Sequence, residues 1–431
     1  MIAYRGRGRW VRHQYRFSGP ICATNSCFQR RALFRSVAIA VVLFFAAGAQ
    51  SQGRAQRVLV AEFQYEMEET MPLSRVRGIA VDRFGGIYIA DENEGAIARI
   101  SPSGGFQGRI GGPGQGPGEF QRLIRVGILG DTLWAVDRAL RRLVLFNLRG
   151  EHIATLSGRI RGELDWPEFP TPELPEALIR GGIISSLTST TPTAHGLIRV
   201  LGTRGEVVTP LLRVEYARQS LVVQGPRGVQ VTRFQPLDDT PLWQASPDGS
   251  RVVVLERPAP VTREAASVTL RTYLPNGSVA FTTSCTYIPT PVTNEAKAEM
   301  VRSAVGMHGN MFRGDNRALE EAVRQGLQLP DFRPPITQLT VGSDSAIWMQ
   351  LATGAGSPVT EWLVIDASGR QTTSVSGPPG VSILAASETH AWGVREDADG
   401  VPQVIRYRIL SAESELTPRH AGWMQTCTTT E

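Results

Sequence analysis

Two short segments share one pattern and indicate the fold class, Gly85-Gly-Ile-Tyr-Ile-Ala-Asp91 and Gly130-Asp-Thr-Leu-Trp-Ala-Val-Asp137. Each places a turn before an apolar strand that ends in an aspartate. The same form recurs twice nearer the C-terminus, and the aromatic residues of the four copies are Tyr88, Trp134, Trp348 and Trp392. The first two aromatics are 46 residues apart and the last two are 44 apart. A strand pattern with a period in the mid-forties predicts a series of similar β-units.

Hairpins with a glycine in the turn complete most of these units. Five stretches contain a strand, a polar turn, a glycine and the start of another strand, and their glycines are Gly104, Gly150, Gly205, Gly277 and Gly369. Glycine adopts the positive φ of such a turn without steric cost. Six units can be counted, with approximate spans 74–112, 121–158, 178–213, 241–288, 335–376 and 380–411. These units predict an all-β protein with the fold of a six-bladed β-propeller.

The sixth unit has no clear segment for its outermost strand, whereas the chain has a spare strand-like segment, 58–63, at its other end. A ring of sheets with an open edge is liable to pair wrongly. We therefore predict that 58–63 supplies the missing strand. The propeller would then cover residues 58–411 and would be followed by a C-terminal tail, 412–431.

The composition limits the class of protein. Of the 431 residues, 20% are charged and 42% are hydrophobic, which excludes a wholly disordered chain. Residues 1–49 hold eight of the 45 basic residues and none of the 40 acidic ones. The remainder is slightly acidic, so we expect no nucleic-acid partner.

Residues 1–49 have the pattern of a signal peptide. Arginines at 30, 31 and 35 precede the apolar run 36–47, and Ala47-Gly-Ala49 offers a cleavage site. The run is short for a membrane span. We expect cleavage, no transmembrane span afterwards, and an exported protein in the periplasm or outside the cell. An uncleaved anchor and a leader of the twin-arginine type are the alternatives.

The first unit resembles a known family. It contains Gly78-Ile-Ala-Val-Asp82, Gly86-Ile-Tyr-Ile-Ala-Asp91, Arg99-Ile100 and Gly111-Gly-Pro-Gly-Gln-Gly-Pro-Gly-Glu-Phe120. These residues resemble an NHL-type repeat and are similar to exported bacterial six-bladed β-propeller proteins that carry a Gly-Pro-Gly-Glu-aromatic segment. The close match covers residues 74–158. The resemblance implies a propeller used mostly as a binding platform, with lactonases and lyases among its enzyme relatives.

Three acidic residues end the second strands of predicted units, Asp91, Asp137 and Glu256. On one face of a propeller they could hold a hard cation such as Ca²⁺, which binds six to eight oxygens. The equivalent positions of the last two units lie near Leu351 and Arg395, which do not complete an oxygen cage. The alternative is that the aspartates cap turns by accepting backbone N–H bonds. A metal-assisted hydrolase or lyase, lactonase-like and acting at the channel mouth, is therefore the second functional hypothesis.

A helical hairpin is predicted between the fourth and fifth units, over residues 294–329, because apolar residues recur there at helical spacing. The connection between two blades lies on the face where propellers bind ligands. The insert could be a lid or a partner-docking surface, or its apolar residues could only attach it to the blades. The candidate residues of the ligand face are Met300, Met307, His308, Met311, Phe312 and Arg395.

Two cysteines follow the leader, Cys285 and Cys427. In an exported protein they could form a disulfide that attaches the tail to the body, or they could remain unpaired. The sequence has no nucleophile elbow, phosphate loop or paired-histidine metal motif. The first functional hypothesis is therefore an exported binding or scaffold protein, with a protein or small-molecule ligand on the loop face. A purely structural envelope protein is the third.

Overall fold

The structure is a computed structural model. It describes residues 55–65, 72–157, 174–188, 195–202, 207–215, 221–224, 230–233, 237, 239–308, 316–353, 357–411 and 424–430. The described residues are mostly β-strands, arranged in many sheets. None of the helices found in these ranges is long and apolar enough to cross a membrane.

The strands form short antiparallel sheets in chain order, numbered here one to six. Sheet one consists of β2 (Val76–Val81), β3 (Ile87–Asp91), β4 (Ala96–Ile100) and β5 (Phe106–Gly111). Sheet two consists of β6 (Leu123–Leu129), β7 (Thr132–Asp137), β8 (Arg142–Asn147) and β9 (His152–Ser157). Sheet three is β10 (Leu174–Ile179), β11 (Gly182–Thr188), β12 (His195–Leu201) and β13 (Val207–Glu215). Sheet four is β16 (Leu242–Ala245), β17 (Val252–Glu256), β18 (Ala266–Tyr273) and β19 (Val279–Tyr287).

Sheets five and six complete the series. They are β20 (Ile336–Val341), β21 (Ile347–Leu351), β22 (Thr360–Ile365), β23 (Thr372–Gly377), and β24 (Ser382–Ala386), β25 (His390–Glu396), β26 (Pro402–Ser411). The remaining elements are β1 (Ala55–Gln64), a hairpin of β14 (Leu221–Gln224) and β15 (Gln230–Arg233), helices α1 (Asn294–His308) and α2 (Asn316–Gly326), and β27 (Met424–Thr430).

The hydrophobic core lies between neighbouring sheets. Tyr88 of sheet one packs in a cluster shared with sheet two, and Trp134 of sheet two packs in one shared with sheets three and four. Trp348 lies between sheets five and six, and Trp392 of sheet six lies in a cluster shared with sheet one. The repeated aromatic of the sequence pattern is therefore the residue that each of these sheets buries against its neighbour, where a large flat side chain removes the most apolar surface from water.

The first strand of the chain completes the last sheet. β1 pairs antiparallel with β26, with Val58 opposite Leu410 and Phe63 opposite Arg406. β1 also pairs in parallel with β23, so it joins sheets five and six into one eight-stranded sheet. The segment 58–63 therefore lies beside the outermost strand of sheet six, as the sequence suggested. Its second pairing had no signal in the sequence.

The C-terminal segment adds a fifth strand to sheet four. β27 pairs antiparallel with β19, and Cys285 and Cys427 lie opposite each other and form a disulfide. Residues 424–430 of the C-terminal tail expected over 412–431 therefore form a strand. Its sequence, Met424-Gln-Thr-Cys-Thr-Thr-Thr430, is rich in the β-branched residues that strands favour.

Candidate functional site

One edge of the sheets brings together the start of each innermost strand and the end of the second strand. Val76 lies opposite Asp91, Leu123 opposite Asp137, and Ile336 opposite Leu351. The connections that lead from one sheet to the next leave from the same edge. In sheet one, for example, Gly111 at the end of β5 pairs with Ala96, and Ala96 pairs with Asp91. We call this edge the loop face.

The innermost strands are irregular at the loop face. In five of the six inner strands described, a β-bulge interrupts the ladder near the start of the strand, and the unpaired residues are Arg77, Ile124, Glu176, Thr337 and Leu384. A bulge turns a side chain away from the regular alternation and is frequent beside binding sites. The outer hairpins also have register shifts at the opposite edge, but the bulges of these innermost strands lie at the loop face.

Three arginines meet one glutamate where sheets one and two adjoin. Arg75 and Arg77, at the start of β2, direct their Nε atoms to Oε2 of Glu92, and the Arg75 distance is 3.2 Å. Arg122, before β6, donates from Nε to Oε1 of Glu92 at 2.8 Å. The side chain of Glu92 is only 8% exposed, whereas those of Arg75 and Arg122 are 52% and 51% exposed. The carboxylate of Glu92 therefore lies beneath the arginines, and the side chains of Arg75 and Arg122 are exposed to solvent.

The arginines also control the charge of the glutamate. Burial alone would raise the pKa of Glu92, but hydrogen bonds from Arg77 and Arg122, with the charges of Arg77 and Arg75, hold this pKa below its usual value. Glu92 is therefore ionised at neutral pH, and the group carries two positive charges in excess.

A second ion pair continues this charged surface into sheets two to four. Arg125 Nη1 lies 3.6 Å from Oε2 of Glu176, and its guanidinium carbon lies 5.0 Å from the ring centre of Trp243. Ser186 donates a hydrogen bond to Oε1 of Glu176 at 2.7 Å. This pair is neutral overall, so it leaves the excess charge of the first group unchanged. We call the residues Arg75, Arg77, Glu92, Arg122, Arg125 and Glu176 the arginine rim.

The side chain of Asp91 accepts hydrogen bonds from backbone N–H groups. It is fully buried, and its Oδ2 accepts N–H bonds from Ser74 and Arg75, both at 2.8 Å. Its Oδ1 accepts N–H bonds from Asn93 at 3.0 Å and Glu94 at 3.1 Å, and a bond from the Ser74 hydroxyl. Both carboxylate oxygens are therefore occupied, one by N–H groups of the segment that precedes β2 and the other by N–H groups of the segment that follows β3.

Asp137 has the same position and role in sheet two. Its oxygens accept N–H bonds from Gln121, Arg122 and Leu140, at 3.0 to 3.2 Å. Arg142 Nε lies 3.6 Å from Oδ2. The two aspartates therefore match the turn-capping alternative, in which the strand end is tied to the incoming chain.

Glu256 has a different environment, because it forms an ion pair with Arg271 on the neighbouring strand β18. Asp91, Asp137 and Glu256 are not gathered into one cluster, and in the described part of the chain no group of three or more His, Cys, Asp or Glu residues could hold a metal ion. The hypothesis that these three carboxylates form a cation site does not fit this geometry.

The glycine-rich segment after β5 is also structural. Arg142, 9% exposed, donates to the carbonyl oxygens of Gln115, Gly116 and Glu119 at 2.6 to 3.1 Å. Glu119 Oε2 in turn accepts the Gly116 N–H at 2.7 Å. The Gly-Pro-Gly-Glu sequence therefore folds a tight connection around one buried arginine.

Two insertions stand on the loop face near sheet four. The α1–α2 pair lies between β19 and β20, and its base is closed by hydrogen bonds from Val292 N–H to Asp331 O at 2.8 Å and from Arg333 N–H to Thr290 O at 2.9 Å. The β14–β15 hairpin lies between sheets three and four, and α2 contacts β14. We call α1, α2 and this hairpin the cover. The hairpin had no counterpart in the sequence analysis.

The candidate residues of the insert are only partly described. Met300 is half-buried on α1, and Met307 and His308 lie in the last turn of that helix. Met311 and Phe312 lie outside the described residues. The helices contact each other through Val301, Ala304 and Val323. Arg395, near the end of β25, lies 3.5 Å through Nη2 from Oε1 of Gln403 and is not brought close to the helices by any described contact.

Comparisons with known proteins give a fold-level similarity only. No protein-family model and no curated protein matches the chain. Among solved structures, a candidate exported protein of Bacteroides fragilis NCTC 9343 matches at 9% identity and TM-score 0.44, over 85% of this chain and 98% of that chain. Regucalcin of Agrobacterium tumefaciens C58, a calcium-binding protein, matches at 11% identity and TM-score 0.37, over 82% and 97%. Virginiamycin B lyase of Staphylococcus aureus matches at 11% and 0.36, over 79% and 97%. At such scores no ligand or activity is transferred to this chain.

Proposed function

We propose that the protein is an exported, six-bladed β-propeller of NHL-like repeats that binds a ligand or protein partner on its loop face. Each of the six sheets would be one blade, with β1 as the outermost strand of the sixth. The observation that carries the proposal is the pair of insertions, which both leave from the loop face and contact each other there. Neither insertion is needed to complete a sheet, since all six sheets have their strands without them.

The arrangement of the sheets supports the blade assignment. The innermost strands contact one another in chain order from β2 to β6 and β10, and from β16 to β20 and β24, and β24 returns to β2. Sheet six also shares a hydrophobic cluster with sheet one. A ring of sheets whose last member packs against its first is the arrangement of a propeller, and it removes the open edges that a row of sheets would leave.

Two features support export. The leader sequence has the basic, apolar and small-residue parts of a secretory signal. The disulfide between Cys285 and Cys427 would persist in the periplasm or outside the cell and would be reduced in the cytosol. We place the protein in one of these oxidising compartments.

The test is partner recovery with and without the helical part of the cover. The full chain is expressed with its leader in an export-competent host, purified from the exported fraction, immobilised and exposed to envelope extract. A variant replaces 294–329 with a short Gly-Ser linker, which can close because Val292 and Asp331 are already hydrogen-bonded. The control is Phe84→Ala, which removes an apolar side chain, 65% exposed, from the turn after β2 on the opposite edge.

We expect one partner or ligand to be recovered by the unaltered protein and by the control, and to be lost with the insert. Far-ultraviolet circular dichroism and the melting temperature must show that the linker variant keeps its sheets. Recovery that survives the loss of 294–329 but fails with Phe84→Ala would move the binding surface to the opposite edge and contradict the proposal. Absence of any specific recovery would favour a purely structural protein.

A further inference from the structure

We propose that the arginine rim binds a small, multiply charged oxyanion, either a di- or tricarboxylate or a phosphate. The inference rests on the proposed function, because it assumes that the loop face is the binding face. It adds the chemical class of the ligand and places it at the junction of sheets one and two, beside Arg75, Arg77 and Arg122.

The excess of positive charge is the first argument. Four guanidinium groups of the rim face two carboxylates, Glu92 and Glu176, and Glu92 alone is shared by three arginines. Like charges held close together repel each other, and the repulsion grows as the site loses water. Asp91 and Asp137 lie nearby, but their oxygens accept backbone N–H bonds, and no ion pair between them and a rim guanidinium is found among the described residues. A bound oxyanion would reduce the repulsion between the arginines, so the protein should be more stable with the anion than without it.

The orientation of the arginines is the second argument. Each of the three uses its Nε atom on Glu92. For none of them is a hydrogen bond from a terminal Nη atom found to another residue of the described part of the chain. The terminal Nη groups are held in place by the buried carboxylate and are available to a ligand. Guanidinium forks bind carboxylate and phosphate oxygens in pairs, and a fork that is already oriented loses less freedom when it binds.

The origin of the three side chains is the third argument. Arg75 and Arg77 come from the start of β2, whereas Arg122 precedes β6 of the next sheet. Arg138, which takes the position after Asp137 that Glu92 takes after Asp91, is exposed and adds a further positive residue to the same edge. A structural ion pair needs one arginine for one glutamate. Here three arginines from two sheets contact one carboxylate, which is more than a structural ion pair requires.

The experiment measures anion binding by titration calorimetry at constant ionic strength, with the exported full chain. The probes are citrate, pyrophosphate and sulfate, and glycerol serves as the uncharged control. The rim variant is Arg77→Gln with Arg122→Gln. The matched control is Arg83→Gln, which removes one positive charge from the opposite edge, where Arg83 pairs with Asp131 and both side chains are more than 60% exposed.

We expect one probe class to bind the unaltered protein and to raise its melting temperature. The rim variant should weaken that binding about tenfold or more, which corresponds to the loss of about one charge-assisted contact, about 1.4 kcal/mol. Arg83→Gln should change the dissociation constant less than about twofold, because exposed charges at a distance are screened. Citrate binding without pyrophosphate binding would identify the carboxylate class, and the reverse would identify phosphate.

Two results would overturn the inference. One is weakening by Arg83→Gln that reaches half of that of the rim variant on a logarithmic scale, since one removed charge would then have half the effect of two and the response would be to net charge alone. The other is the absence of binding by every anion to the unaltered protein. If the double variant does not fold, Arg75→Gln alone tests the same group, because Arg75 is half exposed. Partner recovery that still depends on 294–329 while no anion binds would leave the proposed function standing and reject only the oxyanion.

Discussion

Replacement of Asp91 by asparagine is the sharpest test of how the loop face is built. The aspartate accepts two backbone N–H bonds on each carboxylate oxygen, from Ser74 and Arg75 and from Asn93 and Glu94. Asparagine keeps one acceptor oxygen and puts an NH₂ group at the other position. Whichever way the amide turns, two partly buried N–H donors then face a donor and lose their acceptor.

The same change at Asp137 should cost less. There one oxygen accepts two N–H bonds, from Arg122 and Leu140, and the other accepts only that of Gln121. An amide at Asp137→Asn can turn its NH₂ toward the single donor and lose one N–H bond. The same turn removes the charge next to Arg142 Nε, 3.6 Å from Oδ2, but the Nη atoms of Arg142 keep their bonds to three carbonyl oxygens. Each buried donor without a partner costs about 1–3 kcal/mol, so we expect Asp91→Asn to destabilise by about 2–6 kcal/mol and Asp137→Asn by about 1–3 kcal/mol.

The assay is urea unfolding of both variants and the parent, followed by tryptophan fluorescence and circular dichroism. Coincident transitions from the two probes are required before free energies of unfolding are compared. The measurement is repeated with Ca²⁺ and with chelator. We expect no calcium dependence, because the oxygens of both aspartates already accept N–H bonds. Equal destabilisation by the two variants would refute the assignment of the lost N–H bonds. A loss that appears only when Ca²⁺ is present would refute the backbone role and restore the cation-site hypothesis.

Three further predictions concern closure, the C-terminal strand and pH. Removal of 55–64 should lower the melting temperature by several degrees, because the protein loses the buried side chain of Leu59, which contributes about 2 kcal/mol, and because β23 and β26 lose their pairing with β1. An unchanged melting temperature would exclude closure by β1. Cys427→Ser should destabilise by about 2–5 kcal/mol, and hydrogen exchange should speed up along β19; unchanged exchange would show that β27 holds without the disulfide to Cys285. The folded pKa of Glu92 is lowered, so the ionised side chain stabilises the fold fully above the unfolded pKa of about 4.3, and this stabilisation is lost as pH falls through the folded pKa. Melting temperatures measured from pH 7 to 3 should therefore fall less steeply in Glu92→Gln than in the parent, and parallel curves would contradict this contribution of Glu92.

The sequence predicted the elements that repeat. A turn, an apolar strand and an aromatic residue recur because each sheet must bury the same face against its neighbour. Because of this repetition, Tyr88 and Trp134 could be recognised in the sequence as members of one pattern. The role of 58–63 could be predicted for a related reason. The sixth unit lacked a segment for its outermost strand, and this strand-like segment belonged to no other unit. The all-β class and the positions of the six sheets could therefore be predicted.

The elements that do not repeat could not be predicted in the same way. The β14–β15 hairpin and β27 occur once each, so no second copy indicated them. The bulges at Arg77 and Glu176 depend on how two strands align, which the local sequence does not state. The three arginines that contact Glu92 lie up to 47 residues apart in the chain, from 75 to 122, and only the packing of sheet one against sheet two brings them to Glu92.

Glu92 and Arg138 occupy equivalent positions on the loop face, each directly after a repeated aspartate. These following side chains are better candidates for function than the aspartates themselves. The N–H of Glu92 donates to Arg75 O, and the N–H of Arg138 donates to Arg122 O, both at 2.9 Å, so the backbone treats the two sites alike. The neighbouring aspartates are the same residue because they perform the same backbone task in both sheets. The side chains after them have opposite charges, although the backbone does not require either. A side chain that the backbone bonds do not require, and that differs between two equivalent positions of the loop face, can bind a ligand without breaking those bonds.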